Sequence, residues 1–479
     1  MKLYCAFLTL FFLIFHCPLQ ATAKWEFKTE FEFQALWARP CNFDEDQTDE
    51  IMITIDYRNY IDDQEGNVLK QINIADKDFR YVGAVDLDGH SPEEPIFRVR
   101  HKDTLYVLTV LPNGIFKEIR ITIGKDIRLP RGFDCDIMGI GTVDLNGDGF
   151  NELMCFIGTS FDLQPRGVWA YDWHNKRELW HFWLGGFPYA RGAFSSNYYL
   201  GDIDKSVGKG VIFGTSSPCN GSDINGFNDF ESYVIMLNKE GHLVWKRKVG
   251  EESTAAVIWC GDINGDGKLD IVVDEEQGLA NNKEPNSLMI LKASSGETEK
   301  YIKTGEKFLG MQVCDLDRDG KIDIITGNSD GKVRVFDSAL NLMNEHIFPS
   351  SIRVLSTCDF DGNGTTEVLI STKNGKVYLL NENLEVVGEE QILRGILGLA
   401  SFIVSSGKQK KILFQSGDHS PFTYKLMSII PVSTLGTKKP YSIILLVTSL
   451  LVLSGIILAA TYFVHTTKRI KNIRRAANI

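Results

Sequence analysis

Asp144-Leu-Asn146-Gly-Asp148-Gly149-Phe-Asn-Glu152 opens onto the apolar run Leu153-Met-Cys-Phe-Ile157. Oxygen-bearing side chains at positions 1, 3, 5 and 9 can wrap a hard cation, and the glycines let the chain turn sharply. The pattern returns as Asp262, Asn264, Asp266 and Asp270; as Asp315, Asp317, Asp319 and Asp323; and as Asp359, Asp361, Asn363 and Glu367. Each copy runs into a short β-branched or apolar segment: Ile271–Val273, Ile324–Thr326 and Val368–Ser371. Such runs, bounded by Gly and Asp, read as buried strands. The unit is therefore strand, nine-residue acidic loop, strand.

An EF-hand would need a bidentate Glu at position 12 and a flanking helix on each side. Position 12 is Cys155, Val273, Thr326 or Ile370, so that motif is excluded. The same letters can also form an Asx turn without metal. Recurrence argues against this, because several carboxylates in one tight loop repel unless a cation joins them.

Weaker copies extend the series. Asn42, Asp44, Asp46 and Glu50 fill the four positions, with Gln47 in place of the glycine; Asp86, Asp88, His90 and Glu94 fit in part. At Asp202 and Asp204 the pattern lapses into Ser206 and Gly210. First positions at 42, 86, 144, 202, 262, 315 and 359 lie 44 to 60 residues apart, enough for four short strands per unit. That period indicates a propeller or solenoid. Third and fourth strands follow at Val168–Asp172 with Glu178–Trp180, at Tyr233–Leu237 with Leu243–Trp245, and at Lys332–Phe336 and Lys376–Leu380. The tryptophans at 180 and 245 read as packing between sheets.

Ile396–Phe402, Lys411–Gln415 and Thr423–Met427 read as three strands of a last unit without an acidic loop. Trp25-Glu-Phe27 resembles the strands around Trp180 and Trp245 and can supply the fourth. Closing a ring in this way removes free sheet edges. The expectation is an all-β propeller of four-stranded blades: eight, or seven if the last unit only covers an edge.

These loops and strands resemble the FG-GAP/VCBS repeats of integrin alpha-chain propellers and their bacterial relatives, over nearly all of residues 24–430. The resemblance implies structural calcium between the first and second strands of a blade, held by the sixteen residues at positions 1, 3, 5 and 9 named above. Asn42, Asp44, Asp46 and Glu50 are a weaker fifth site. It also implies ligand binding by loops on the opposite face. No leg domains are present, so adhesion in the integrin sense does not carry over.

The ends place this domain. Met1-Lys2, an apolar run from Leu3 to Phe15 and Ala21-Thr-Ala23 make a secretory signal peptide over residues 1–23. After the 24–430 propeller comes a linker, 431–440, and then Tyr441–Val464, 24 residues without a charge. About 20 suffice to cross a bilayer as a helix. Lys468, Arg469, Lys471, Arg474 and Arg475 give the 465–479 tail a basic excess, which sets that tail in the cytoplasm and the propeller outside. Loss of Cys5 and Cys17 with the signal leaves seven of nine cysteines, an odd number. Cys41, Cys260, Cys314 and Cys358 each end a strand before an acidic loop and read as small buried hydrophobes. Cys135–Cys155 is a candidate disulfide.

The net charge of −11 is concentrated in the loops, and no basic stripe marks the body of the chain, which argues against nucleic-acid binding. There is no Ser/His/Asp order, nucleotide-type Gly loop or His-rich metal spacing. His174 and His181 read as satisfied surface or core residues. The expected function is non-enzymatic recognition of a protein or glycan ligand by a calcium-binding, membrane-anchored propeller; the alternative is the sensor half of a membrane signalling system with a histidine kinase. Long loops at 160–167, 216–231 and 275–287, with Phe187, Tyr189, Arg191 and Phe194 nearby, are either the ligand face or tolerated insertions.

Overall fold

Each acidic loop joins two antiparallel strands, and two more complete the unit. The computed structural model describes residues 25–431 except 45, 47, 56–57, 73–78, 90–92, 102–103, 111–115, 122–134, 160–163, 189–196, 278–285, 305, 361, 393–399, 408 and 417–420. The signal peptide, the linker beyond 431, the 441–464 span and the tail lie outside the described residues. So do Tyr189, Arg191, Phe194 and Asp361. Among the described residues no helix is long and apolar enough to cross a membrane.

Cys135–Val143, Glu152–Thr159, Gly167–Asp172 and Arg177–Trp183 pair antiparallel in chain order. The same quartet recurs over 37–72, 79–121, 254–303, 308–347 and 352–391. Residues 198–251 repeat it, with a small ladder of Asp223–Ile224 on Phe227–Asn228 set into the loop after the second strand. A closing quartet joins the two ends of the domain. Ala400–Ser406, Gln409–Ser416 and Phe422–Pro431 run in order, and Trp25–Ala35 pairs along Phe422–Pro431 from Trp25↔Pro431 to Ala35↔Phe422. The strand expected around Trp25–Phe27 is thus present and extends to Ala35.

Burial follows position in the quartet. Glu152–Thr159, a second strand, is buried along its whole length, whereas Leu342–Ile347, a fourth strand, is almost wholly exposed. An inner strand with a neighbouring sheet on each face needs apolar residues on both, which is why its sequence is a continuous run and not an alternation. The core is accordingly divided into layers between sheets. One layer packs Ile96 and Leu105 on Ile137 and Leu153; another packs Val333 and Val335 on Ile370 and Tyr378. The layer of Ala35, Ile51, Leu413 and Tyr424 joins the closing quartet to the first. First strands of successive quartets touch from Trp37–Cys41 onward, with the second strand Asp270–Gln277 making the step to Phe308–Cys314. The circuit returns from Ala400–Ser406 to Trp37–Cys41.

Directional bonds reinforce these layers. Trp180 Nε1 donates to Lys239 O of the next quartet at 2.8 Å, and Trp245 Nε1 to Ala293 O at 2.9 Å. Each indole lies over a turn glycine of that quartet. A Cβ on Gly241 would run into the Trp180 ring, and one on Gly296 would sit 2.6 Å from Trp245, and both glycines have positive φ. The tryptophans therefore pack sheet on sheet. Gly241→Ala must strain the backbone and displace the indole together, so it should cost at least ~2 kcal/mol of unfolding free energy in denaturant titration.

The Cys135–Cys155 disulfide is corrected by register. Cys135 faces Thr159, and Cys155 lies four residues from Thr159 along that strand, facing Ile140, an offset of about 13 Å at the usual strand rise. Cys155 is a buried free thiol, and Cys41, Cys260, Cys314 and Cys358 are free as well.

Candidate functional site

The position 9 acid folds back across its own loop. Glu152 Oε2 accepts the Leu145 amide at 2.6 Å, Asp323 Oδ2 that of Leu316 at 3.1 Å, and Glu367 Oε2 that of Phe360 at 2.8 Å. Asp270 Oδ2 makes a longer contact with the Ile263 amide, 3.4 Å. The two weaker copies do the same: Glu50 accepts from Phe43 at 2.7 Å and Glu94 from Leu87 at 2.8 Å. In the copy at 86–94, a partial fit by sequence, the described acids Asp86, Asp88 and Glu94 thus follow the pattern. Positions 3 and 5 make Asx turns: Asn264 Oδ1 accepts the Asp266 amide and Asp266 Oδ1 the Lys268 amide, both at 2.9 Å.

This arrangement gathers several acids into each loop. Carboxylate oxygens converge in Asp44, Asp46 and Glu50; in Asp86, Asp88 and Glu94; and in Asp315, Asp317 and Asp323. Burial pushes the carboxyls of Glu50, Glu94, Glu152 and Asp323 above their usual range. Burial, with Glu299, Asp266 and Asp262 nearby, pushes Asp270 up to about 6. At position 1, Asp315 Oδ1, Asp359 Oδ1 and Asn42 Oδ1 are buried without a hydrogen-bond partner. A hard divalent cation fits such a donor set: oxygen ligands at alternate positions, with orphaned acceptors aimed inward.

Loop 144–152 differs. Lys209 of the next quartet reaches Asp144, its Nζ 3.3 Å from Oδ2. Burial opposes ionisation of Asp144, but the Gly147 amide and Lys209 outweigh it and hold this carboxyl below its usual range. The convergent acids here are Asp148, Glu152 and Asp172, the last at the end of the third strand and not anticipated from the loop pattern.

A second regularity escaped the sequence. The residue at position 8 reaches the preceding unit: Asn151 Nδ2 donates to Asp86 O at 3.0 Å, Thr366 Oγ1 to Asp315 O at 3.5 Å, and Lys209 Nζ to Asp144 O. Asp49 does the equivalent in the closing quartet, accepting the Ser405 amide at 2.6 Å. The signal was a polar residue at position 8 in these copies, replaced by Leu269 and Ile322 in two others, and nothing within one unit assigns it a partner.

The raised Asp270 carboxyl gives a pH test. Without metal the fold favours its protonated form, so this contribution is complete below the unfolded value and is lost as pH rises through about 6. In chelator, wild type should therefore lose stability relative to Asp270→Asn between about pH 4 and 6. A bound cation should reverse the trend, since it binds only the ionised form. Paired thermal melts read both.

At the opposite end, the loops of the third and fourth quartets are built around a buried ion pair. Arg166 is fully buried and donates to Thr159 Oγ1, Gly185 O and Asn220 Oδ1 at 3.1, 2.6 and 3.2 Å. Asp229, also fully buried, lies 4.0 Å from Arg166 and accepts the amides of Asn220, Gly221 and Ser222. Phe187 lies against the Arg166 guanidinium, 4.3 Å from ring centre, and pairs with Ser216, so this candidate ligand residue supports the loops. Asn220 heads the sequon Asn220-Gly-Ser222, but its Nδ2 is buried, so a glycan there would displace the Arg166 contact. Beside this scaffold is a cavity of about 470 Å³ lined by Asp223, Phe230, Glu231, Glu251 and Glu252. The two singled-out histidines are both in contact: His174 stacks on Phe150 at 3.8 Å, and His181 meets Glu178 at 2.7 Å.

No protein-family model and no curated protein matches the chain. It is similar to solved β-propellers. A europium-containing methanol dehydrogenase shares 10% identity, with 84% of this chain and 93% of that chain covered, at a TM-score of 0.50. BamB from Moraxella catarrhalis shares 12% over 84% and 99%, at 0.49. BBS1N in complex with ARL6DN shares 12% over 87% and 100%, at 0.45. At these identities the likeness concerns fold alone: the chain is an all-β protein of the β-propeller kind.

Proposed function

We propose that this chain is a non-enzymatic, membrane-anchored, extracytoplasmic recognition module: an eight-bladed propeller of FG-GAP type whose acidic loops hold structural calcium. The observation that carries the metal reading is the repeated loop, with a position 9 carboxylate turned back on the position 2 amide and buried, unpartnered position 1 oxygens in three copies. The closing quartet and the circuit of first strands support the count of eight. The 441–464 run supports the anchor, and the signal-like N-terminus supports export. Sites of the extracellular kind, with Kd of about 10⁻⁴–10⁻³ M, would stay filled outside a cell.

Division of labour between the two ends supports recognition. The acidic-loop end is regular. The other end carries the long loops, the Arg166–Asp229 scaffold and a cavity with exposed Phe230 at its wall. An aromatic residue beside a concave, water-accessible site suits a binding anchor. A pull-down with the exported domain, with and without calcium, tests this reading. Phe230→Ala and Arg191→Ala should each abolish capture of a partner held by wild type without moving Tm. Undiminished capture by both would overturn the assignment of this face.

A further inference from the structure

The described residues expose twelve large hydrophobic side chains, and they are not evenly placed. Val68-Leu69, Leu243-Val244 and Leu342-Met343 are consecutive pairs that open the fourth strands of three quartets. A fourth strand begins just after the turn that lies at the same end as the acidic loop. Val386, which opens another fourth strand, and Phe150, inside an acidic loop, are at this end too. Ile55, Phe230 and Ile347 are at the other. An outer strand with one buried face alternates apolar and polar residues. Two successive apolar residues, each 41% exposed or more, have no core to serve.

The chain leaves the domain at this same end. Phe422–Pro431 runs parallel to the first strand of its quartet, so Pro431 lies where the acidic loops lie, and Trp25 is paired beside it. Ser405 and Ser406, at the end of that first strand, touch Asp49 and Thr48 of the 42–50 loop, which fixes the direction. Nine residues, 432–440, then separate Pro431 from the apolar run starting at Tyr441. Fully extended they reach about 30 Å. Lys268 and Lys321, at position 7 of two loops, are more than 70% exposed at this end and pair with Asp266 and Asp319 of their own loops; a cation taking those carboxylates would release both lysines toward phosphate groups.

We propose that the acidic-loop end is a lipid-facing surface, resting on the outer leaflet of the membrane that holds the anchor, with the paired apolar residues of the fourth strands entering the headgroup boundary. This rests on the membrane-anchored reading above. It leaves the long-loop end pointing away from the bilayer and open to a partner.

The test uses the full chain reconstituted into phosphatidylcholine vesicles, with a photoreactive benzoylphenylalanine placed singly at Leu69, Leu243, Met343, Phe230 or Ile347. All five side chains are exposed, so the replacements leave the core intact. Illumination should give phospholipid adducts at Leu69, Leu243 and Met343 at five-fold or greater yield over Phe230 and Ile347. Equal yields at both ends, a reversed order, or no adducts at the first three positions would overturn the proposal. An alkaline carbonate wash separates this failure from that of its premise. A chain that stays with the vesicles but labels at the wrong end defeats only the docking surface; a chain that washes out defeats the anchor and the surface with it.

Discussion

Asp229→Ala should destabilise the domain by about 3–5 kcal/mol, the usual cost of breaking a buried ion pair from one side. The substitution strips the acceptor from three backbone amides, those of Asn220, Gly221 and Ser222, and takes the Asp229 carboxylate away from the fully buried Arg166. Arg166 would keep Gly185 O, Thr159 Oγ1 and Asn220 Oδ1, which are neutral partners. Arg166→Met with Asp229→Leu removes both charges and should recover part of the loss, because no buried charge then remains unpaired. Urea titration of the three proteins reads the difference. A loss below ~1 kcal/mol for Asp229→Ala would mean that water reaches the pair and that the loop scaffold is looser than its geometry.

Removing calcium should have the largest effect of all. At about 10 mM calcium, 100 times a Kd of about 10⁻⁴ M, the ion contributes about 2.7 kcal/mol per site to the folded state. Four well-formed loops would together contribute about 11 kcal/mol on that basis, comparable with the whole stability of an ordinary domain. Chelator should therefore lower Tm by well over 10 °C, and excess calcium should restore it. Single loops should differ in their share. Asp317→Ala removes one acid from a convergent group of three, so it should remove one site. Asp144→Ala should matter less, since Lys209 already neutralises that carboxylate.

The fold was legible because its repeat writes the same chemistry several times. Acid at position 9 and a following apolar run placed the first two strands of most quartets. Gly-turn spacing placed the outer two, and Trp25-Glu-Phe27 suggested the strand that closes the last quartet. What stayed hidden lies between units. No pattern within one repeat shows that Asn151 bonds to Asp86 O or that Lys209 crosses to Asp144. The Cys135–Cys155 expectation failed for a related reason: it took chain proximity for contact, whereas the hairpin register set the two four residues apart. Phe187, near a long loop, reads from sequence as part of either a ligand face or a tolerated insertion. In the fold the ring covers a buried guanidinium, a partner that sequence spacing could not supply.

Direct counting of bound calcium tests the central claim most closely. Metal-stripped protein, titrated with calcium in a calorimeter or by equilibrium dialysis, should take up at least four ions per chain, and up to six if residues 42–50 and 86–94 also bind. Asp317→Ala should lower the count by one while leaving the others filled. Uptake of fewer than two ions, or an unchanged Tm on chelation, would contradict calcium as the element that holds the acidic-loop end together.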